Sequence, residues 1–192
     1  LNWPAFAHAW RARYQPAMEQ VRSGARPFTK LDVLHRENLE GVLQTFDVAG
    51  LSEGELDHLN RAWHRLTPWP DVVEGLTRLK AKYVLATQSN GNVALIVNMA
   101  KNADLPWDVI LGAEVCQAYK PMPEAYRRAA DLLGLRNGQH FYFPLAGLIL
   151  PNLPDTAAHP FQFVEIIARK RPIPLQSQRF CRSRCALNKT AD

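Results

Sequence analysis

The sequence lacks any run of eighteen apolar residues, although its composition, 47% apolar and 21% charged, is typical of a globular protein. A membrane-spanning helix needs about 20 apolar residues, so we expect no membrane partner. The start, Leu1-Asn2-Trp3-Pro4, has no basic segment followed by an apolar one, and therefore indicates no secretory signal. Because Leu1 is not a natural start, we expect that the beginning of the chain has been lost.

Cysteine is also scarce. The three cysteines are Cys116, Cys181 and Cys185, an odd number with only one in the body of the chain, which favours a reducing cytoplasm over a disulfide framework. Cys181-x-x-x-Cys185 has no second Cys or His pair at ligand spacing, so two free thiols explain it better than zinc. The six histidines show no metal-ligand spacing either, and no Gly-rich nucleotide-binding motif occurs.

An excess of positive charge is missing from most of the chain, despite the net charge of +5. Residues 1–163 carry sixteen basic and sixteen acidic residues, whereas residues 164–192 carry seven basic residues against Glu165 and Asp192. A neutral body with a basic tail is not a basic binding face, so we expect no nucleic-acid partner.

The first 67 residues have the apolar spacing of helices. Trp3, Trp10 and Tyr14 belong to one apolar stripe, which predicts a single first helix. A second amphipathic helix follows over residues 31–46, and a third begins after the Ser52/Glu55 capping pair. Two prolines in Thr67-Pro68-Trp69-Pro70 end the pattern. We predict a helical cap over residues 1–67.

Strands and helices then alternate. Residues 83–87 and 109–112 have the composition of short buried strands, and helices are predicted over residues 71–82, 92–103 and 123–133. This alternation is typical of a parallel sheet. We predict an α/β fold, with an incomplete Rossmann-like parallel sheet core over residues 68–150.

Prolines interrupt the chain after residue 135. Phe141-Tyr142-Phe143 and residues 145–150 have the composition of strands, whereas residues 151–192 form a divergent, proline-interrupted basic tail. We expect residues 165–192 to be without regular structure. We also expect them to be unsuited to pairing with the sheet edge beside residues 83–87.

Ser89-Asn90-Gly91 lies where the first predicted strand ends and a helix begins. Backbone amides and polar side chains at such a turn can bind an anion, and glycine allows its close approach. Ser89 and Asn90 add a hydroxyl and an amide. A helix N-cap serine with no ligand would have the same sequence.

Lys120 follows the second predicted strand in Lys120-Pro121-Met122-Pro123. At the carboxyl end of a parallel sheet, a lysine can neutralise a carboxylate or an anionic intermediate. Tyr126, six residues later on a predicted helix, can present its hydroxyl to the same site. Taken separately, Lys120 reads as an exposed loop residue and Tyr126 as a core aromatic.

Together, Ser89-Asn90-Gly91 and the Lys-Pro-x-Pro-x-x-Tyr segment thirty residues later resemble two motifs of the haloacid dehalogenase superfamily, and specifically type II (S)-2-haloacid dehalogenases. The resemblance implies a Rossmann-like core with a helical cap, and an Asp nucleophile that displaces halide as an ester which water hydrolyses. It implies that Lys120, Ser89 and Asn90 are catalytic. It also implies that Arg11, in a Trp-Arg pair, binds substrate with Asn90 and Tyr126. Arg11 as a solvated helix residue is the alternative.

The sequence departs from this family at both motifs that should flank the matched ones. No Asp-x-x-Gly-Thr nucleophile motif occurs, and residues 139–150 offer no matching Ser, Asn or Asp for a fourth motif. An attacking carboxylate cannot be replaced by positioning residues. We therefore expect a fragment, or a chain that has lost its start and diverged at its end.

Three functions are compatible with this sequence. The first is hydrolytic dehalogenation of short 2-haloalkanoic acids, which by resemblance requires no metal or other cofactor. The second is a magnesium-dependent phosphatase of the same superfamily, and the third is a non-catalytic fragment. We expect a small 2-haloacid as the partner, with a homodimer as an open alternative.

Overall fold

The computed structural model describes residues 1–135, 141–144 and 165–170, the last two stretches by their backbone alone. Within these residues, the helices and strands alternate only after residue 71. The helices are α1 Trp3–Ala12, α2 Tyr14–Arg22, α3 Leu31–Thr45, α4 Glu53–Asn60, α5 Val72–Lys80, α6 Val93–Asn102, α7 Ala113–Cys116 and α8 Pro123–Leu132. The strands are β1 Tyr83–Ser89, β2 Val109–Gly112, β3 Phe141–Pro144 and β4 Glu165–Lys170.

The first apolar stripe is divided between two helices, so the prediction of a single helix through Tyr14 is wrong. α1 ends at Ala12, and α2 begins at Tyr14 with Arg13 between them. Pro16 has no N–H to donate to the carbonyl of Ala12, which interrupts the ladder at this point. The break turns α2 so that Tyr14 and Met18 are buried in a different cluster from Trp10.

The other cap helices follow their sequence signals. Ser52 and Glu55 form the expected capping box, with the Ser52 backbone N–H donating to Glu55 Oε2 at 2.8 Å. After Asn60 the chain tightens into a 3-10 turn over Arg61–Arg65, so the predicted third helix, whose apolar positions extend to Leu66, ends earlier than its sequence pattern indicates. Apolar side chains of α1 and α3 pack together in the cap core, namely Phe6, Trp10, Leu39, Val42 and Leu43.

The predicted parallel pairing is confirmed. β1 and β2 are joined through α6 and pair in parallel, with Ala86 opposite Val109 and Ser89 opposite Gly112. The strand order in the sheet is β2-β1-β4-β3. Because the two strands are parallel, the turns that follow Ser89 and Gly112 meet at the same edge of the sheet.

Two expectations about the tail are wrong for residues 165–170: these residues do have regular structure, and the edge beside β1 is not unpaired. β4 pairs antiparallel with β1, with Tyr83 opposite Lys170 and Gln88 opposite Glu165, and β3 pairs antiparallel with β4. Residues 165–170 read Glu-Ile-Ile-Ala-Arg-Lys, and β-branched residues favour a strand. Predictions for the rest of the tail, and for residues 145–150, lie outside the described residues.

The cap and the sheet domain share one hydrophobic cluster. Tyr14, Met18, Leu31 and Leu34 of the cap pack with Leu95, Ile96 and Met99 of α6. The boundaries at residues 67/68 and 150/151 stay predictions. In the part of the chain that the structure describes, no helix is long and apolar enough to cross a membrane.

Candidate active site

Lys120 and Asn90 meet at the carboxyl ends of β1 and β2. The Lys120 backbone N–H donates to Asn90 Oδ1 at 2.7 Å, and the Lys120 ammonium donates to the Gln88 carbonyl at 3.0 Å. The side chain of Lys120 is buried rather than exposed in a loop, with 7% of the residue accessible. We call Ser89, Asn90 and Lys120 the sheet-end cluster. Here the Lys120 ammonium is held at the last residues of β1.

Ser89 contributes mainly to the shape of this turn. Its hydroxyl oxygen accepts the backbone N–H of Gly91 at 3.0 Å, and only 1% of the residue is exposed. Gly112 lies directly opposite, and a Cβ atom there would overlap the carbonyl oxygen of Gly91 and reach that of Ser89 at 3.2 Å. The two turns are therefore in backbone contact, which only glycine at position 112 allows.

Tyr126 lies on α8, next to the end of β1. The preceding residue, Ala125, accepts a hydrogen bond on its carbonyl from Gln88 Nε2 at 3.0 Å. Tyr126 itself is half-buried. α8 is thus tied to the strand that carries the sheet-end cluster.

Arg11 lies in the cap among aromatic rings. Its guanidinium carbon is 5.2 Å from the centre of the Tyr14 ring and 5.6 Å from that of Trp63, distances at which a cation attracts a ring face. His35 stacks on Trp63 with ring centres 4.9 Å apart and lies 5.7 Å from Tyr14. We call Arg11, Tyr14, His35 and Trp63 the cap cluster.

Burial changes the acid–base properties of the cap cluster. It lowers the pKa of Arg11 to about 10 and that of His35 to about 3, so that His35 is neutral at physiological pH. The pKa of Tyr14 is raised, mainly by burial, against a smaller opposite effect of its hydrogen bond with Asn90. Charge in the cap cluster therefore resides on Arg11.

Asn90 connects the two clusters. Its side chain hydrogen-bonds to Tyr14 of the cap and accepts the backbone N–H of Lys120. Its amide nitrogen also contacts Met18 Sδ at 3.5 Å. Arg11, Tyr14, Asn90 and Lys120 thus form a continuous chain of contacts from cap to sheet, whose end members are both cationic.

A second polar group joins cap and core beside the site. Asp32 accepts hydrogen bonds from His64 Nε2 at 3.1 Å and Asn92 Nδ2 at 2.8 Å, and Asn60 Nδ2 donates to its carbonyl at 3.0 Å. His64 Nδ1 lies 2.9 Å from Asn98 Nδ2. This Asp32 network fixes the start of α6, immediately after the Ser89-Asn90-Gly91 turn.

The sequence interpretation missed the cap residues Tyr14, His35 and Trp63. One signal was present: His35 occupies an apolar position of α3, four residues from both Leu31 and Leu39, where a polar side chain is unusual. No signal identified Trp63, because its place depends on the 3-10 turn. Among the residues that the structure describes, no group of three or more His, Cys, Asp or Glu could hold a metal ion.

Residues 4–143 match the family described as haloacid dehalogenase-like hydrolases. The chain belongs to this family. Among curated proteins it is 32% identical to (S)-2-haloacid dehalogenase 4A of Burkholderia cepacia over 134 residues, which is 68% of this chain and 57% of that protein. It is 30% identical to the (S)-2-haloacid dehalogenase of Xanthobacter autotrophicus over 100 residues, 50% of this chain and 39% of that one.

Solved structures give the same result. The defluorinating L-2-haloacid dehalogenase Rha0230 is 56% identical with a TM-score of 0.68, covering 70% of this chain and 56% of that one. The L-2-haloacid dehalogenase PA0810 is 48% identical with a TM-score of 0.64, covering 66% and 55%. The chain thus spans little more than half the length of these two solved structures.

Proposed function

We propose that this chain carries the cap and the sheet-end half of a site for hydrolytic dehalogenation of short 2-haloalkanoic acids. The observation that supports this most is the placement of two cations, Arg11 in the cap and Lys120 at the sheet end, on either side of Asn90. A 2-haloacid brings a carboxylate and releases a halide, so it presents two negative groups to such a site. The cytoplasm is the compartment we propose, from the cysteine usage.

The reaction needs an attacking carboxylate, which the resemblance assigns to an Asp of an Asp-x-x-Gly-Thr motif that this sequence does not contain. In that reaction a carboxylate oxygen bonds to the α-carbon while the carbon–halogen bond breaks, and the halide leaves with the electron pair. Water then adds to the ester carbonyl and releases the 2-hydroxy acid. The residues of this chain bind, orient and balance charge.

Lys120 is the proposed charge-balancing residue. Its ammonium is held by the Gln88 carbonyl and its backbone by Asn90, so its position is set before any substrate binds. A preorganised positive charge stabilises an anionic transition state more than a mobile one does. Asn90 is proposed to orient the substrate, and Ser89 to keep the turn in shape. Tyr126 is proposed to line the site.

Halide release tests the proposed function. We expect none from 2-chloropropionate with the 192-residue chain, with or without magnesium. The same chain preceded by the nucleophile-bearing segment of the Burkholderia cepacia relative should release halide at a rate that saturates with substrate concentration. 2-Fluoropropionate serves as a second substrate in the same assay. Magnesium-dependent turnover of a phosphate ester, without halide release, would instead support the alternative function as a phosphatase. Saturable release from the 192-residue chain would contradict the role given to the missing Asp.

In the extended protein, Lys120→Ala should lower kcat by a factor corresponding to about 2–4 kcal/mol, because it removes an electrostatic contact to the reacting charge. KM should change little. Lys101→Ala is a matched control, since Lys101 is exposed at the end of α6. Equal kcat values for the two variants would remove Lys120 from the mechanism.

A further inference from the structure

Arg22, the last residue of α2, holds the main chain of Lys120 from the cap. Its Nη1 donates to the Lys120 carbonyl at 3.3 Å, across 98 positions of the chain. The Lys120 backbone N–H donates to Asn90 Oδ1 at 2.7 Å, so the main chain of Lys120 is held by the sheet domain at its N–H and by the cap at its carbonyl. The Arg22 bond is the longer of the two, which makes the carbonyl the weaker attachment.

The guanidinium of Arg22 is itself fixed on α2. Nη2 donates to Gln15 Oε1 at 3.1 Å, and Nε donates to Glu19 Oε2 at 2.8 Å. Only 14% of the Arg22 side chain is exposed, whereas 72% of the Arg78 side chain is exposed in its pair with Glu74. An exposed ion pair contributes little, but a planar guanidinium that shares its donors among three partners has a fixed direction. Arg22 therefore differs from an ordinary surface arginine.

α2 makes a second contact with the sheet end. Tyr14, eight residues before Arg22, hydrogen-bonds to the side chain of Asn90. Residues eight apart lie on the same side of a helix. One side of α2 thus contacts Asn90 through Tyr14 and Lys120 through Arg22, and Asn90 and Lys120 are also bonded to each other.

From these contacts we infer that Arg22 is a positioning residue, which keeps Lys120 at the end of β1 while the cap lies against the sheet domain. This inference rests on the proposed function and deepens it, since it makes the place of the charge-balancing residue depend on the cap. Arg22 acts through Lys120 rather than on the substrate. Without the Arg22 bond, the Lys120 ammonium should leave the Gln88 carbonyl more often.

The Lys120 ammonium of the 192-residue chain tests the inference without any turnover. Hydrogen bonding slows the exchange of ammonium protons with water, so Lys120 should give a slowly exchanging nitrogen-15 signal, assigned by its loss in Lys120→Ala. In Arg22→Met we expect this exchange to be at least about tenfold faster, as the loss of one charge-assisted hydrogen bond implies. Lys80 is the internal control, because its ammonium donates to the Pro106 carbonyl at 2.9 Å and its signal should not change.

Two further variants separate direction from charge. Arg22→Lys keeps the charge and the N–H donors but not the planar fork, so its Lys120 exchange rate should lie between those of the wild type and Arg22→Met. Arg78→Met, which removes an exposed helix arginine, should match the wild type. Equal Lys120 exchange in the wild type and Arg22→Met would overturn the inference. Equally faster exchange of Lys80 and Lys120 would overturn it too, because Arg22 would then only stabilise the fold.

A substitution at Gln15 leaves Arg22 in place, and so keeps the test decisive if Arg22→Met does not fold. Gln15→Met removes one of the acceptors that direct the guanidinium. We expect it to make Lys120 exchange about threefold faster, since a neutral hydrogen bond contributes less than a charged one. An unchanged rate in Gln15→Met would then overturn the inference.

Turnover of the extended protein gives an independent measurement. Arg22→Met should lower kcat about tenfold and change KM by less than about twofold, because Lys120 is present but misplaced. A kcat equal to that of Arg78→Met would overturn the inference. Absence of halide release from the extended wild type, together with the expected change in ammonium exchange, would count against the proposed function only.

Discussion

The sheet-end cluster and the cap cluster are held in place by different forces. Asn90 and Lys120 are fixed by hydrogen bonds that involve the main chain, at 2.7 and 3.0 Å. Arg11 and His35 are fixed by the faces of Tyr14 and Trp63. Main-chain hydrogen bonds follow from the strands, whereas ring contacts follow from how the helices pack. The first cluster should therefore resist changes in neighbouring side chains better than the second.

The largest effect is expected from acid acting on the cap cluster. Burial lowers the pKa of His35 from 6.5 to about 3, so the unfolded chain binds a proton there at a higher pH than the folded chain does. The stability that neutral His35 preserves is fully present above pH 6.5 and is lost as the pH falls toward 3. Between pH 6 and 4 the free energy of unfolding should fall by up to about 1.4 kcal/mol per pH unit from this group.

Urea unfolding at a series of pH values measures this slope. His35→Met should remove most of it, whereas His8→Met, at an exposed position of α1, should leave it in place. A slope that is the same in wild type and His35→Met would mean that His35 is not buried as described.

An intermediate effect is expected at the sheet end from Gly112→Ala. The added methyl group would overlap the carbonyl oxygen of Gly91, and a backbone atom can move away only if the turn moves with it. We expect the free energy of unfolding to fall by about 1–3 kcal/mol. Gly75→Ala is the control, because a Cβ there meets nothing within 4 Å, and alanine should stabilise α5 by about 0.5–1 kcal/mol. A neutral Gly112→Ala would contradict the backbone contact between the two turns.

The smallest effect is expected where the two regions are joined, at Asp32. Burial opposes ionisation of this carboxylate, but hydrogen bonds from His64 and Asn92 outweigh it and hold its pKa below the ordinary value. The ionised Asp32 carboxylate therefore contributes to the free energy of unfolding above about pH 4, and this contribution is lost as the pH falls further. Asp32→Asn should cost about 1 kcal/mol at pH 7 and less at pH 3.

Asp57→Asn is the control for Asp32→Asn, since Asp57 forms an exposed ion pair with Arg61 four residues away. This control substitution should lower the free energy of unfolding by less than about 0.5 kcal/mol. Comparison of denaturant midpoints at pH 7 and pH 3 measures both variants. An Asp32→Asn cost that is as large at pH 3 as at pH 7 would assign it to packing instead of charge.

The same difference between the clusters explains what the sequence could predict. Apolar runs that end at a turn predict the strands at 83–87 and 109–112 and the polar residues after each. The parallel pairing and the closeness of Asn90 to Lys120 could therefore be predicted from the sequence. The break at Arg13 and the partners of His35 were not, because they depend on contacts between helices far apart in the chain. β4 was missed because its pairing with β1 joins segments about eighty residues apart.

The 3-10 turn over Arg61–Arg65 has a consequence for motion. Successive residues of such a turn point about 120° apart, so Trp63 faces His35 in the cap while its neighbour His64 contacts Asp32 and Asn98. A cap movement that separates Trp63 from His35 must displace His64 as well. Loosening of the contact between Trp63 and His35 and loosening of the start of α6 are then one event, and whatever stabilises one stabilises the other.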